Sequence, residues 1–179
     1  MIQKLIAIRW PLFILLLIIT LASGIWLWNN EQHITADVPG FSIMRFEKPE
    51  TEAGLVSLVK AISDAGDMPR ITEDLQIDYV FMIGLYPGIA VWLLILRRNA
   101  RKALSITLLI AALLQFLPWI FDLIENGHLL GVLKGEPLGI EVGLFRLMVT
   151  GKVFMAGGGA VMALLVTIGK ITMRKRLYM

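Results

Sequence analysis

Phe121-Asp122-Leu123-Ile124-Glu125-Asn126 sets an acid, a second acid and an amide at positions i, i+3 and i+4. On a helix that spacing puts all three on one face. A lysine, Lys152, interrupts an apolar stretch further along, and Asp78 opens another. Carboxyl groups and an ammonium next to hydrocarbon have few uses. They pair to brace helices, or they bind an ion, a proton or a polar ligand. An acid of this set would also serve as a general base, but no nucleophile or metal-ligand set accompanies it.

The elements that must position these groups are written in the hydropathy. The chain has 179 residues, 57% of them hydrophobic, against about 45–50% in a soluble domain. Its mean hydropathy is +0.74. The excess lies in four blocks: Pro11–Trp28, Tyr79–Leu96, Ala103–Phe121 and Leu147–Gly169. Each approaches the roughly 20 residues that cross a bilayer as a helix, and in hydrocarbon a helix satisfies its own backbone groups. The expected fold is an all-α membrane protein, a four-transmembrane-helix bundle. It divides into residues 1–28 (N-terminus and first span), 29–77 (an extracytoplasmic segment) and 78–179 (spans at about 79–96, 103–121 and 147–169, then a basic tail). The first block is longer than the apolar region of a signal peptide, so the expectation is a retained anchor.

Lys4 and Arg9 precede the first span. Arg97, Arg98, Arg101 and Lys102 join the second to the third. Lys170, Arg174, Lys175 and Arg176 follow the fourth. The positive-inside rule places all three sites, and so both termini, in the cytoplasm. The expected location is the bacterial cytoplasmic (inner) membrane, with the lipid bilayer as a partner. Trp10, Trp26, Trp28 and Trp119 lie near span ends, where interfacial aromatics anchor helices.

The outside segment carries structure of its own. Phe41–Phe46 reads as a strand or the start of a helix, which Pro49 ends. Thr51 then caps a helix over about 52–65, with Leu55, Val56, Leu58, Val59 and Ile62 expected on its apolar face. Gly66 is a natural residue for the turn after it. The helix is expected to lie over its own bundle as a cap; the alternative is a docking face for another subunit.

Counting from the cytoplasmic anchors gives depths. Asp78 lies nineteen residues before Arg97, Asp122 twenty after Lys102, and Lys152 eighteen before Lys170. At 1.5 Å per residue these are about 28, 30 and 27 Å, close to the thickness of the hydrocarbon core. Three helices thus each bring an ionisable residue to the same outer level. Lys152 paired with Asp122 or Asp78 would fix the packing of spans two, three and four.

Other residues narrow the classes. Cysteine is absent, which excludes disulfides, thiolate metal sites and thiol catalysis. Neither histidine lies in a span, so bis-histidine haem within the bundle is excluded. His128 stands three residues after Glu125, a weak metal spacing; no metal or cofactor is expected, and no nucleic-acid patch appears. Ala156, Gly157, Gly158, Gly159, Ala160 and Ala163 form a small-residue run suited to close helix packing or a dimer face. Pro87-Gly88 and Pro118 should kink or open their helices. Gln115 is expected to bond a neighbouring helix.

The order of motifs is also informative: Arg45-Phe46-Glu47, then Asp78-Tyr79-Val80-Phe81 with Tyr86, then Phe121–Asn126, then Lys152. It resembles a loose group of small bacterial four-helix membrane proteins. Lys48-Pro49 stand where the resemblance leads one to expect two small apolar residues. The resemblance implies the same topology, highlights Glu47, Asp78, Asp122, Glu125, Asn126 and Lys152, and supplies no reaction.

Three functions remain open. The leading one is a non-enzymatic accessory or interaction subunit of a membrane assembly, with a protein partner or a second copy of the chain. The second is a small transporter or ligand-binding protein using the outer acidic–lysine cluster, which requires a pocket between spans two, three and four. The third is a lipid-acting membrane enzyme.

Overall fold

The computed structural model describes residues 2–98 and 100–176, with side chains described from 9 to 98 and from 100 to 172. The side chains of Lys4, Arg174, Lys175 and Arg176, used above for orientation, lie outside the described residues. Among the described residues seven helices follow in order: α1 (Ile2–Asp37), α2 (Ile43–Glu47), α3 (Glu52–Asp64), α4 (Met68–Leu96), α5 (Lys102–Leu114), α6 (Phe116–Leu133) and α7 (Val142–Arg176). Every regular element among the described residues is helical. Four stretches are long and apolar enough to cross a membrane: Arg9–Asp37, Met68–Leu96, Lys102–Leu133 and Val142–Thr172. Among the described residues the chain is all-helical, and its four apolar helices fit a multi-pass membrane protein.

The helices outrun the apolar blocks. α1 was expected to end near Trp28 and continues to Asp37; α4 was expected to begin near Tyr79 and starts at Met68. No proline or glycine interrupts residues 29–37, and a helix keeps its backbone bonds in water as in lipid. The two extensions brace each other. Asn30 donates to Asp74 Oδ1 at 2.9 Å and to the Arg70 carbonyl at 3.1 Å. Arg70 pairs with Asp37 and Asp67. Met68–Leu96 is 29 residues, about 44 Å long, longer than a hydrocarbon core of about 30 Å.

α4 is the central helix. α1 packs along it, and α5, α6 and α7 pack against its other sides. The α1–α4 crossing is close: a methyl group added at Gly84 would lie 2.6 Å from Thr20 Oγ1 and 2.7 Å from the Thr20 amide. At the basic end, Lys170 on α7 donates to the Leu96 and Arg98 carbonyls at 2.6 and 2.9 Å. It satisfies orphan carbonyls at the end of α4. Lys170 and the Arg97–Arg98 turn therefore share one level, the level from which the depths were counted.

The third span is broken. Pro118 has no N–H to donate and crowds the preceding turn, and the helix divides at Gln115 into α5 and α6. The buried Gln115 amide reaches across to the Met155 carbonyl at 3.3 Å. α4, in contrast, passes Pro87 without a break.

Two hydrophobic cores result. One lies at the α2–α3 end and includes Ile34, Phe41, Phe46, Leu55, Ile62, Leu129 and Phe145. The other lies toward the basic end and joins α4, α5 and α7 through Leu93, Leu108, Ala111, Ala112 and Ala163. α2 is a helix, capped by Ser42, whose hydroxyl accepts from the Arg45 amide. Thr51 caps α3 by accepting from the Gly54 amide at 3.0 Å, and Gly66 takes φ +82 in the turn after it. α3 lies over α4 and α6, burying Leu55 and Ile62 with Leu58 and Val59 half-buried against the same core. Val56, expected on that face, is 55% exposed: it follows Leu55 by one residue, which turns it about 100° away.

Candidate functional site

The charged layer sits between the two cores. On α4 it falls between buried Leu75 and Ile89, on α7 between Val149 and Ala163, and on α5–α6 between Ala112 and Leu129. Lys152 is its centre, with 7% of its surface exposed. The ammonium donates to Asp122 Oδ1 at 2.6 Å. It stands 2.7 Å from Glu125 Oε2 and 3.6 Å from Glu47 Oε2. Asp122 and Glu125 come from adjacent turns of α6, as their i, i+3 spacing requires.

Glu47 arrives from outside the bundle. Gly40, at φ +78, lets the chain turn back after α1, a conformation that a Cβ disfavours. Glu31 on α1 accepts from the Ile43 amide at 2.9 Å and fixes the start of α2. Phe46, fully buried, anchors its end. The adjacent Glu47 is thereby held over Lys152, and burial pushes its carboxyl above the ordinary carboxylate range. The Asp122 charge adds to that rise and Lys152 opposes it.

Asp78 does not pair with Lys152. Its Oδ2 accepts from Asn126 Nδ2 at 2.8 Å, so the third member of the Asp122–Glu125–Asn126 face turns to α4 and the first two turn to α7. The lysine pairing expected with Asp122 or Asp78 is made with Asp122. Tyr86, to which the sequence assigned no role, donates to the second Asp122 oxygen at 2.6 Å. A tyrosine inside a span needs a partner for its hydroxyl, and that need was the available signal. Glu125 is fully enclosed and its Oε1 has no hydrogen-bond partner; Asn126 Oδ1 has none either.

Four carboxyl groups and one ammonium thus share the layer, three of the four carboxyl groups lying around Lys152. Were all ionised, the layer would hold a formal excess of three negative charges (four minus one). That excess is costly where water is scarce. Protons, a cation or a cationic ligand must offset it. Lys152, facing three carboxyl groups, is arranged as a charge partner and not as a nucleophile. Among the described residues no group of three His, Asp or Glu side chains is placed to hold a metal ion. His128 packs edge-on against Phe145 while Glu125 turns toward Lys152.

Two cavities meet at this layer. A groove of about 390 Å³ runs between α4 and α7, with Glu47, Asp78, Tyr86, Asp122 and Lys152 at its polar end. Its walls are apolar: Phe81, Leu85, Ile89, Val153, Ala156 and Gly157. A second cavity of about 240 Å³ lies on the α1 side of α4 and takes in Glu31 and Asp74. Both are lined by Glu47, Asp78 and Phe81. Glu31, Asp74 and Phe81 were not singled out from the sequence, because nothing in their spacing relates them to Lys152.

The small-residue run of α7 divides by face. Gly159 is buried against Gln115 and Ile89, Ala163 is buried, and Ala156 and Ala160 pack on the same core. Gly157 and Gly158 are exposed and a Cβ added at either meets nothing within 4 Å. These two do not pack within the bundle and leave the dimer-face alternative open: residues one and two positions after Ala156 turn about 100° and 200° away from its face. In comparisons with known proteins, no family model, no curated protein and no solved structure matches the chain.

Proposed function

We propose that this protein is a membrane-embedded binding protein for an amphipathic molecule, not an enzyme. The polar head would sit at the Lys152 layer and the apolar chain along the α4–α7 groove. The observation that carries this reading is the groove itself, about 390 Å³ with ionisable groups at one end and hydrocarbon along its walls. Ligand pockets occupy about 300–1,000 Å³ and combine apolar walls with a few placed polar groups. No nucleophile stands beside a base in the layer, which favours binding over lipid chemistry.

The proposal includes an orientation. The basic turns face the cytoplasm of a bacterial inner membrane, by the positive-inside rule, and the α2–α3 cap lies outside. The groove then opens near the outer leaflet. A role as accessory subunit is a second reading. It is favoured by the outward face of α7, where Gly157 and Gly158 lie beside Phe154, which is 75% exposed. Small residues with a protruding aromatic suit contact with another helix.

Native mass spectrometry of protein released from mild detergent tests the binding reading. A retained amphipathic mass that survives release supports it. Bare protein, from both detergent and lipid nanodiscs, contradicts it, and co-release with a second polypeptide moves the weight to the accessory reading.

A further inference from the structure

We infer that the head group of the bound amphiphile is a primary ammonium. This rests on the binding reading above and names the class of ligand. In the inner part of the layer Asp122 takes one donor from Tyr86 and one from Lys152, and Glu125, which lies against the same ammonium, lines neither cavity. The carboxyl groups that do line the cavities and are short of donors are Asp78 and Glu47. Asp78 has a single side-chain donor, the neutral Asn126 amide. Glu47 has the 3.6 Å approach of Lys152, beyond hydrogen-bond length, and the neighbouring Glu125 carboxyl.

These two half-buried carboxyl groups face both cavities. On the α1 side Glu31 and Asp74 add two more acids, and no basic residue lines that cavity. Lys152 is the one base at the α4–α7 groove and is committed to the inner acids. An anionic head would meet repulsion there. A hydroxyl would make ordinary bonds. An ammonium would bring N–H donors to two carboxylates and offset the excess negative charge, and charge-assisted bonds are about twice as strong as neutral ones. Phe81 lines both cavities, and an aromatic ring beside the site favours a cation over an anion. Spare acceptors require N–H groups, which separates a primary ammonium from a quaternary one.

The test adds dodecylamine, dodecyltrimethylammonium, dodecanol or dodecyl phosphate to the full chain in maltoside micelles. Binding is read by native mass spectrometry and by the shift of the unfolding midpoint. Dodecylamine is expected to bind roughly tenfold more tightly than dodecanol, the difference between a charge-assisted and a neutral hydrogen bond. That advantage should shrink in Asp78→Asn and, separately, in Glu47→Gln. Equal binding of all four heads, with protons balancing the charge, overturns the ammonium and leaves the binding reading standing. Tighter binding of the quaternary or the phosphate head overturns it too. Binding of none removes the reading on which it rests.

Discussion

At the α2–α3 end the enclosed side chains are large: Phe41, Phe46, Phe145, Leu55 and Ile62 have almost no exposed surface. Toward the basic end many are small. Ala90, Ala111, Ala112 and Ala163 are buried, while Leu21, Ile110, Leu113, Leu164 and Leu165 point outward. The solvent makes the difference. Outside the membrane, water drives the largest apolar groups inward. Inside it, lipid tails accept leucine as readily as the protein does, so close backbone approach decides what lies between helices. Gly84 against the Thr20 backbone is an approach of that kind, and Gly159 leaves room for the Gln115 side chain. The charged layer lies between these two ends of the molecule.

That contrast predicts an order of sensitivity. Lys152→Met should have the largest effect, since it leaves Asp122 and Glu125 buried without their counter-charge. Removing one partner of a buried pair costs about 3–5 kcal/mol. Thermal unfolding in detergent should show a large fall in midpoint or no folded protein. Adding Asp122→Asn and Glu125→Gln to Lys152→Met should recover part of the loss, and wild-type stability for the single variant would break the view of the layer as a joint between cores.

Next, Leu55→Ala in the outer core should cost about 2–5 kcal/mol. Leu164→Ala, on the outward face of α7, should change stability by only about 0.5 kcal/mol. Chemical denaturation of both in the same micelle sharpens the comparison. Equal losses would erase the distinction between the two regimes.

The smallest effect is a pH slope. The Glu47 carboxyl is pushed above its ordinary range, chiefly by burial, so the folded chain holds that proton more tightly than the unfolded one. Its contribution is full below the unfolded carboxylate range and is lost as pH rises through the folded value. Stability measured against pH should therefore fall less steeply over that window in Glu47→Gln than in the wild type. An identical slope would remove Glu47 from the electrostatics of the layer.

Much of this was legible in the sequence because it depends on one dimension. Hydrocarbon thickness fixes span length, so four apolar blocks give four spans, and counting residues gives Asp78, Asp122 and Lys152 a common depth. Rotation about each helix axis is a second dimension, and counting does not supply it. Asp78 turned to Asn126 and not to Lys152, and Tyr86 found Asp122, for that reason. The extension of α1 to Asp37 was hidden because residues 29–37 are polar enough to read as loop, yet contain nothing that stops a helix. Glu47 stood out only through the resemblance. Its approach depends on the turn at Gly40 and on the anchoring of Phe46, which are tertiary facts.

Gly157 lines the α4–α7 groove and Gly158 does not, yet both have open space around them. A Cβ added at either position meets no neighbouring atom within 4 Å, so a larger side chain starts without a clash at both. The most direct test of the binding site is therefore native mass spectrometry of Gly157→Leu beside Gly158→Leu, at matched stability. The expected result is that Gly157→Leu loses the co-purifying amphiphile and Gly158→Leu keeps it; equal retention by the two would contradict a ligand in the groove.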